Sequence, residues 1–215
     1  MLAWPQGPAH KYWTMAQFTA RKSDTLENTP SPETARDRLL KAATALFFRY
    51  GINATGVDAI VEAANTAKAT LYKTFGSKDG LIEAVLRTVG EAWRHWFLNA
   101  LERYPGSPRE KLTGVFDILE EWFASDHFYG CPFANAVGEF DKKNQRYKAL
   151  ALTQKRVVIE YIVQLAEKAA IKDAPILANQ LGLLVDGAIT AALITGDPKT
   201  AQTARAAAAK IVAAS

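Results

Sequence analysis

Apolar side chains recur at intervals of three and four residues from about residue 32 to the end of the chain. This period places them on one face of an α-helix, whereas a half-buried strand would alternate at every second residue. The first helix is predicted to start after Ser31, a good N-cap, with Pro32 in the first helical position, and to end at Gly51. Because no alternating runs joined by hairpin turns occur, the sequence predicts an all-α protein.

Two short helices are predicted next, joined by a tight turn. One starts at Thr55, with Asp58 three residues later as in a capping box, and the other covers residues 67–75. Asn65 separates them, and asparagine tolerates the left-handed backbone conformation that a tight turn requires. Residues 56–75 therefore predict a helix-turn-helix, a unit whose second helix enters the major groove of DNA.

The rest of the chain is also predicted to be helical. Ser77 caps a fourth helix, and further helices are expected at about 108–125, 132–140, 144–170, 174–195 and 198–214. Residues 1–31 are rich in polar residues and proline and show no sustained period, which is typical of a flexible arm. The predicted organisation is this N-terminal arm, a three-helix DNA-binding domain over residues 32–88 and a second helical domain over residues 89–215.

The third helix has the composition of a helix that reads DNA. Leu71 and Phe75, four residues apart, can hold it to the core. Its remaining side chains are mostly polar and include no acidic residue. Lysine, threonine and tyrosine can bond to phosphates or base edges, whereas a carboxylate would be repelled by the phosphates. Lys78 at the start of the next helix is placed to bind a phosphate. The predicted DNA contacts are Thr55, Lys68, Thr70, Tyr72, Lys73, Thr74 and Lys78.

Residues 63–79, AANTAKATLYKTFGSKD, closely resemble the signature of the TetR family of transcriptional repressors, with its T-L-Y-x-x-F core followed by S-K-[DE]. The resemblance extends over residues 33–88, and the preceding helix ends in the usual F-x-x-x-G. It implies an all-helical subunit in which three N-terminal helices bind palindromic operator DNA. The remaining helices would bind a small-molecule effector and form a homodimer, and the effector would release the repressor from its operator.

Three positions depart from the family pattern. Asn65 replaces the turn glycine, Asp58 stands where many relatives have a basic residue, and Lys73 and Thr74 follow Tyr72 in place of the frequent histidine or aromatic pair. The mode of DNA binding is therefore expected to follow the family, while no particular operator sequence is predicted.

The last two helices are predicted to form the dimer interface. Residues 175–194 are apolar nearly all the way round, as expected for a helix buried on more than one side, and the final helix has small alanine side chains that allow close approach. Two copies would make a four-helix interface, where the resemblance also places it, although the pattern fits a hairpin packed within one subunit as well. The candidate interface residues are Leu177, Leu181, Leu184, Val185, Ala188, Ala192, Ala204, Ala208 and Ile211.

Aromatic residues concentrate between residues 93 and 161, where some could line an apolar pocket for a hydrophobic or aromatic ligand. Each of them also suits an ordinary core. The candidate pocket residues are Trp93, Trp96, Phe97, Phe116, Trp122, Phe123, Phe133 and Tyr161.

Composition and motifs narrow the function. A net charge of +4 is compatible with an anionic partner, and the single cysteine, Cys131, rules out an intramolecular disulfide. The apolar stretch 181–194 is too short to span a bilayer and contains Asp186, so a cytoplasmic protein without a membrane partner is predicted. Translation from Met1 and from Met15 both remain open.

Catalysis is not predicted. The sequence has no G-x-x-x-x-G-K-[ST], G-x-G-x-x-G or G-x-S-x-G motif. His127 and Cys131 lie four residues apart but lack the further ligands of a zinc site, so neither a metal nor another cofactor is expected. The competing function is that of a helical ligand carrier or interaction protein with the same fold that does not read DNA.

Overall fold

The structure, a computed structural model, describes residues 33–141 and 144–215. Those ranges contain nine α-helices and no β-strand, which confirms the predicted all-α class. The predicted arm over residues 1–31 and the predicted cap at Ser31 and Pro32 lie outside the described residues. The helices are α1 (Ala35–Tyr50), α2 (Val57–Ala63), α3 (Lys68–Phe75), α4 (Lys78–Arg103), α5 (Pro108–Phe123), α6 (Pro132–Glu139), α7 (Gln145–Lys168), α8 (Ala174–Thr195) and α9 (Thr200–Ala213).

Capping side chains determine where several helices begin. Thr34 caps α1, because its Oγ1 accepts the backbone N–H of Asp37 at 3.2 Å while the Asp37 carboxylate accepts the Thr34 N–H at 3.3 Å. The predicted helix start at Pro32 is therefore wrong, and α1 begins at Ala35. Ser77 caps α4 by accepting the N–H of Gly80 at 3.0 Å, as the sequence indicated.

Two clusters of buried apolar side chains form the core and meet along α4. One holds α1, α2, α3 and the first half of α4 together and extends to Phe133 of α6 and Tyr147 of α7. The other contains the second half of α4 with α5, α7, α8 and α9. The predicted domain boundary at residue 88 falls within α4, so one continuous helix passes through both clusters.

Helix α8 is the most apolar element among the described residues. Its 22 residues and mean hydropathy of 1.5 make it the one helix there that could cross a membrane by length and composition alone. One face of α8 packs on α5, α7 and α9. A core helix of a globular protein meets the same criterion, so the hydropathy of α8 carries no further conclusion.

Candidate nucleic-acid interface and cavity

The helix-turn-helix predicted over residues 56–75 is formed by α2, a tight turn and α3. Asn65 adopts a positive φ of 45°, as expected for the turn position. The turn closes with hydrogen bonds from the Asn65 N–H to the Glu62 carbonyl and from the Thr66 N–H to the Val61 carbonyl, both 3.0 Å. Arg38 of α1 donates from Nε to the Ala64 carbonyl at 3.1 Å. The turn is thereby fixed to α1.

Helix α3 has one buried and one exposed face. Leu71 is completely buried and Phe75 half-buried, and the Arg36 guanidinium lies 5.8 Å from the Phe75 ring centroid. Because these two apolar side chains hold the helix to the core, the opposite side is free for a partner. The polar residues predicted to contact DNA are exposed at Lys68, Tyr72, Lys73 and Thr74 and half-buried at Thr70.

Two of these side chains have partners within the chain. Thr74 donates from Oγ1 to the Thr70 carbonyl at 2.7 Å. The Lys68 ammonium lies 2.8 Å from the Asp58 carboxylate of α2, and the hydrogen bond to this carboxylate raises the pKa of Lys68. Both groups are largely exposed, so the pair can open when a stronger anionic partner approaches. Asp58 nevertheless places a negative charge beside the face of α3 that is predicted to contact DNA.

Thr55 corrects the predicted set of DNA contacts. It is 3% exposed, and its hydroxyl donates to the Gly51 carbonyl at 2.7 Å with the Leu46 carbonyl at 3.3 Å. The hydroxyl therefore closes the end of α1 and is not available to DNA. The predicted capping box at Thr55 is also wrong, because Gly56 is the N-cap of α2 and makes no side-chain bond.

Lys78 makes a hydrogen bond within the chain. It donates from Nζ to the Ile52 carbonyl at 2.7 Å, which ties the start of α4 to the loop between α1 and α2. An ammonium group has three N–H donors, so this bond leaves two for a phosphate. Lys78 thus stays a predicted phosphate contact.

A cavity of about 670 Å³ lies between α1 and the helices from α4 to α8. This volume falls in the range of small-molecule sites. Three of the eight predicted pocket residues line it, namely Trp93, Trp122 and Phe133.

The other five predicted pocket residues do not line this cavity. Phe97, Phe116 and Phe123 are buried in the core of the second cluster, and Trp96 and Tyr161 pack against that cluster half-buried. Helical spacing shows that these aromatic residues turn inward, but it does not distinguish close packing from the wall of a cavity. Their assignment to the pocket is therefore corrected.

Sequence reasoning missed the contributions of α1 and α8 to the cavity. Thr44, Phe48 and Arg49 bring the first helix of the predicted DNA-binding domain into the wall. Asp186 of α8 also lines it and forms an ion pair with Lys155 of α7. Asp186 is the one carboxylate within this apolar helix, and it was the signal in the sequence that α8 borders a polar space. A charge in such a helix needs polar surroundings or a partner of opposite charge.

Cys131 and His127 also line the cavity. Burial raises the pKa of the Cys131 thiol, which keeps it protonated and makes it a poor nucleophile. Among the described residues no group of three histidine, cysteine or acidic side chains is placed to hold a metal ion. The cavity is therefore a binding space with apolar and aromatic walls and a few polar groups.

The predicted dimer face points into the subunit. Leu177, Leu181, Val185, Ala188, Ala192, Ala204 and Ala208 are buried in the second cluster, and Leu184 and Ile211 pack against it. The outer face of α8 instead exposes Ile176, Leu183 and Ile194, which lie seven and eleven residues apart and so share one side of the helix. The predicted interface residues are corrected accordingly, because a helix that is apolar all round gives no sequence signal for which side faces its own subunit.

Comparison with known families matches most of the described chain. Residues 39–85 match the family described as bacterial regulatory proteins, tetR family, and residues 108–208 match the tetracyclin repressor-like C-terminal domain. The HTH-type transcriptional repressor KstR2 of Mycolicibacterium smegmatis is 38% identical over 90 residues, 41% of this chain and 43% of that protein. An uncharacterized HTH-type regulator of Lactococcus lactis is 27% identical over 118 residues, 53% of this chain and 58% of its own length. The chain thus spans about half of each of these relatives.

Solved structures match over nearly their whole length. A TetR-family transcriptional regulator from Streptomyces coelicolor superposes with a TM-score of 0.76 at 28% identity, covering 83% of this chain and 94% of that one. A putative TetR-type regulator from Streptomyces avermitilis is 31% identical with a TM-score of 0.67, covering 81% of this chain and 98% of the other. With both family regions in the expected order, this chain belongs to the TetR family of DNA-binding transcriptional regulators and not to a family of enzymes.

Proposed function

We propose that this protein is a sequence-specific transcriptional repressor that binds operator DNA as a homodimer in the cytoplasm and is released by a small apolar ligand. The observation that carries the proposal is the exposed face of α3, which has two lysines, a tyrosine and threonines but no acidic residue. This face is fixed to the core through Leu71 and Phe75, so its side chains are presented on a rigid support.

Each polar side chain of α3 has a role in the proposed complex. Lys68 and Lys73 reach phosphates or guanine acceptors, and the Tyr72 hydroxyl bonds to a phosphate oxygen. Thr70 and Thr74 offer methyl groups to thymine and hydroxyl oxygens as acceptors. Only contacts to base edges select the sequence, so phosphate contacts set position and affinity while the threonines and lysines set specificity.

The dimer is proposed to form through the outer face of α8. Exposed Ile176, Leu183 and Ile194 present an apolar strip, and exposed Ala206 and Ala209 on α9 allow a partner helix to approach closely. Two copies of α8 and α9 packed in this way bury the strip in a four-helix interface. A two-fold dimer then holds its two α3 helices about 34–36 Å apart, one turn of B-DNA.

The ligand is proposed to occupy the 670 Å³ cavity. Phe48, Trp93, Trp122 and Phe133 give it aromatic walls that suit a hydrophobic or aromatic molecule. Because α1 belongs to the DNA-binding half and forms part of the wall, a ligand there contacts both halves of the subunit. Differential binding to two arrangements of these halves provides the coupling, which is typically about 1–3 kcal/mol.

We propose repression and not activation because the names of related proteins and families refer to repressors. KstR2 is named a repressor, and the C-terminal family is described as tetracyclin repressor-like. The competing function, a ligand carrier that does not read DNA, is favoured only by the size of the cavity and leaves the acid-free face of α3 without a use.

Selection from a random pool of double-stranded DNA tests the proposal. The protein is expected to enrich a palindromic sequence with two half-sites centred about one helical turn apart. Binding to the enriched duplex should weaken steeply with salt, because each neutralised phosphate releases counterions. Recovery of no common sequence, with equal affinity for all duplexes, would favour the carrier function.

A further inference from the structure

Glu139, the last residue of α6, holds the loop between α1 and α2. Its Oε1 accepts the backbone N–H of Ile52 at 3.1 Å, and its Oε2 accepts the N–H of Asn53 at 2.8 Å. In return the Asn53 side-chain amide donates to the Glu139 carbonyl at 2.6 Å. Gly51 lies so close that a methyl group on its Cα would be 3.3 Å from the same carboxylate. Three hydrogen bonds thus connect residues separated by more than 80 positions in sequence.

The same loop is held from the other side by the DNA-binding half. The Ile52 carbonyl accepts the bond from Lys78, whose position is three residues after the end of α3. Ile52 is therefore fixed at its N–H by α6 and at its C=O by the first residue of α4. A chain of hydrogen bonds thus runs through Ile52 from the end of α6 to the first residue of α4, three residues after α3 ends.

Helix α6 also forms part of the proposed ligand site. Pro132 and Asn135 line the 670 Å³ cavity, and together with Phe48 of α1 they also line a second cavity of about 260 Å³. Glu139 and Ile52 border this second cavity. The wall shared by the two cavities therefore has empty space behind it on the side of the Glu139 contacts. A ligand that pushes on the wall can displace α6 without compressing packed atoms.

We propose that Glu139 is a positioning residue for DNA recognition, which transmits the position of α6 to the helix-turn-helix through the Ile52 and Asn53 amides. The inference rests on the proposed DNA-binding function. It assigns one link between the two halves, beside the continuous helix α4, to a carboxylate proposed to contact neither DNA nor ligand. When the carboxylate is removed, the loop loses two charge-assisted hydrogen bonds, and of the three bonds only the one from the Asn53 side chain to the Glu139 carbonyl still joins it to α6. The position of the reading helix relative to α6 is then less well defined.

Glu139→Gln tests this role, with Glu160→Gln on the exposed side of α7 as the matched control. The carboxamide keeps the size of the side chain but presents an N–H₂ group to one of the two backbone donors. Amide hydrogen exchange at Ile52 and Asn53 is expected to accelerate about tenfold, as for the loss of a hydrogen bond to a charged acceptor. Affinity for the duplex selected by the wild-type protein is expected to fall by a similar factor, with Glu160→Gln unchanged in both measurements.

The sign of the affinity change separates positioning from electrostatics. Removing a negative charge near DNA would by itself strengthen binding, so weaker binding by the Glu139→Gln variant requires the positional effect. The slope of affinity against salt should stay unchanged, because Glu139 touches no phosphate. Glu139→Asp keeps the charge on a shorter side chain, so its affinity for DNA should lie between that of Glu139→Gln and that of the wild type.

Unchanged exchange at both amides, or unchanged or tighter DNA binding by a folded Glu139→Gln variant, would overturn the inference. A wild-type protein that selects no DNA sequence would instead refute the proposed function, and amide exchange would still report whether Glu139 holds the loop. The two failures are therefore distinguishable.

Discussion

Replacing Asp58 with asparagine should strengthen DNA binding. The Asp58 carboxylate lies 2.8 Å from the Lys68 ammonium, and their side chains are 83% and 52% exposed respectively. In the free protein Lys68 is therefore already paired, and DNA has to compete with Asp58 for it. Asparagine removes both the competition and one negative charge from the proposed DNA-binding surface.

The size of the effect follows from this exposure. An ion pair so open to water is weak, so releasing it should tighten binding only about two- to fivefold. The salt dependence is the more specific signature. If Lys68 is freed to neutralise one more phosphate, the slope of log affinity against log salt should become steeper by about 0.9.

Fluorescence anisotropy with the selected duplex over a series of salt concentrations measures both quantities. Glu62→Gln is the control, because Glu62 is exposed on the same helix α2 and forms no ion pair among the described residues. It changes the net charge equally but frees no lysine, so its slope should match that of the wild type. A slope for Asp58→Asn equal to that of the control, or weaker binding, would refute the proposed use of Lys68.

Three further changes test other parts of the molecule. Leu183→Glu places a charge in the proposed dimer strip and should give monomers in analytical ultracentrifugation, whereas Leu152→Glu, at an exposed leucine of α7, should leave the dimer intact. Thr55→Val should lower the free energy of unfolding by about 1–3 kcal/mol in urea titrations, because the half-buried Gly51 carbonyl loses the hydroxyl that donates to it. Burial, and then the hydrogen bond to Asp79, raise the pKa of Tyr147. The protonated hydroxyl therefore contributes its full stabilisation below a pH of about 10, and this stabilisation decreases as the pH rises further. Tyr147→Phe should therefore lower the free energy of unfolding at neutral pH, and that free energy should decrease less at alkaline pH in the variant than in the wild type. An equal decrease in the two proteins would contradict this.

Local signals in the sequence predicted most of the helices. Spacings of three and four residues gave the helix class, and Ser77 and Asn65 marked a start and a turn that the structure confirms. The helix-turn-helix could be recognised because all its determinants lie within about twenty consecutive residues. The start of α1 was misplaced because Ser31 and Thr34 are equally good caps by residue type, so the sequence alone did not indicate that Thr34 accepts the N–H of Asp37.

The sites formed between distant segments could not be predicted. Phe97 and Trp93 lie four residues apart on α4, and their rings stack with centroids 4.8 Å apart. Only Trp93 of the two lines the cavity. The buried and exposed faces of α8 are both apolar, so the choice between core and partner depended on where α5, α7 and α9 pack. The bonds between Glu139 and residues 52 and 53 likewise have no local signature, because a glutamate at the end of a helix is usually a solvated surface residue.

The exposed face of α3 is proposed to read DNA, and a pair of tyrosine substitutions tests this role. Tyr72 and Tyr50 are both exposed, at 45% and 57%, but only Tyr72 lies on α3. Affinities of the Tyr72→Ala and Tyr50→Ala variants for the duplex selected by the wild-type protein should differ. We expect Tyr72→Ala to bind at least about tenfold more weakly, as for a lost hydrogen bond to a charged phosphate, and Tyr50→Ala to bind like the wild type. Equal affinities for all three proteins would contradict the assignment of α3 as the DNA-reading helix.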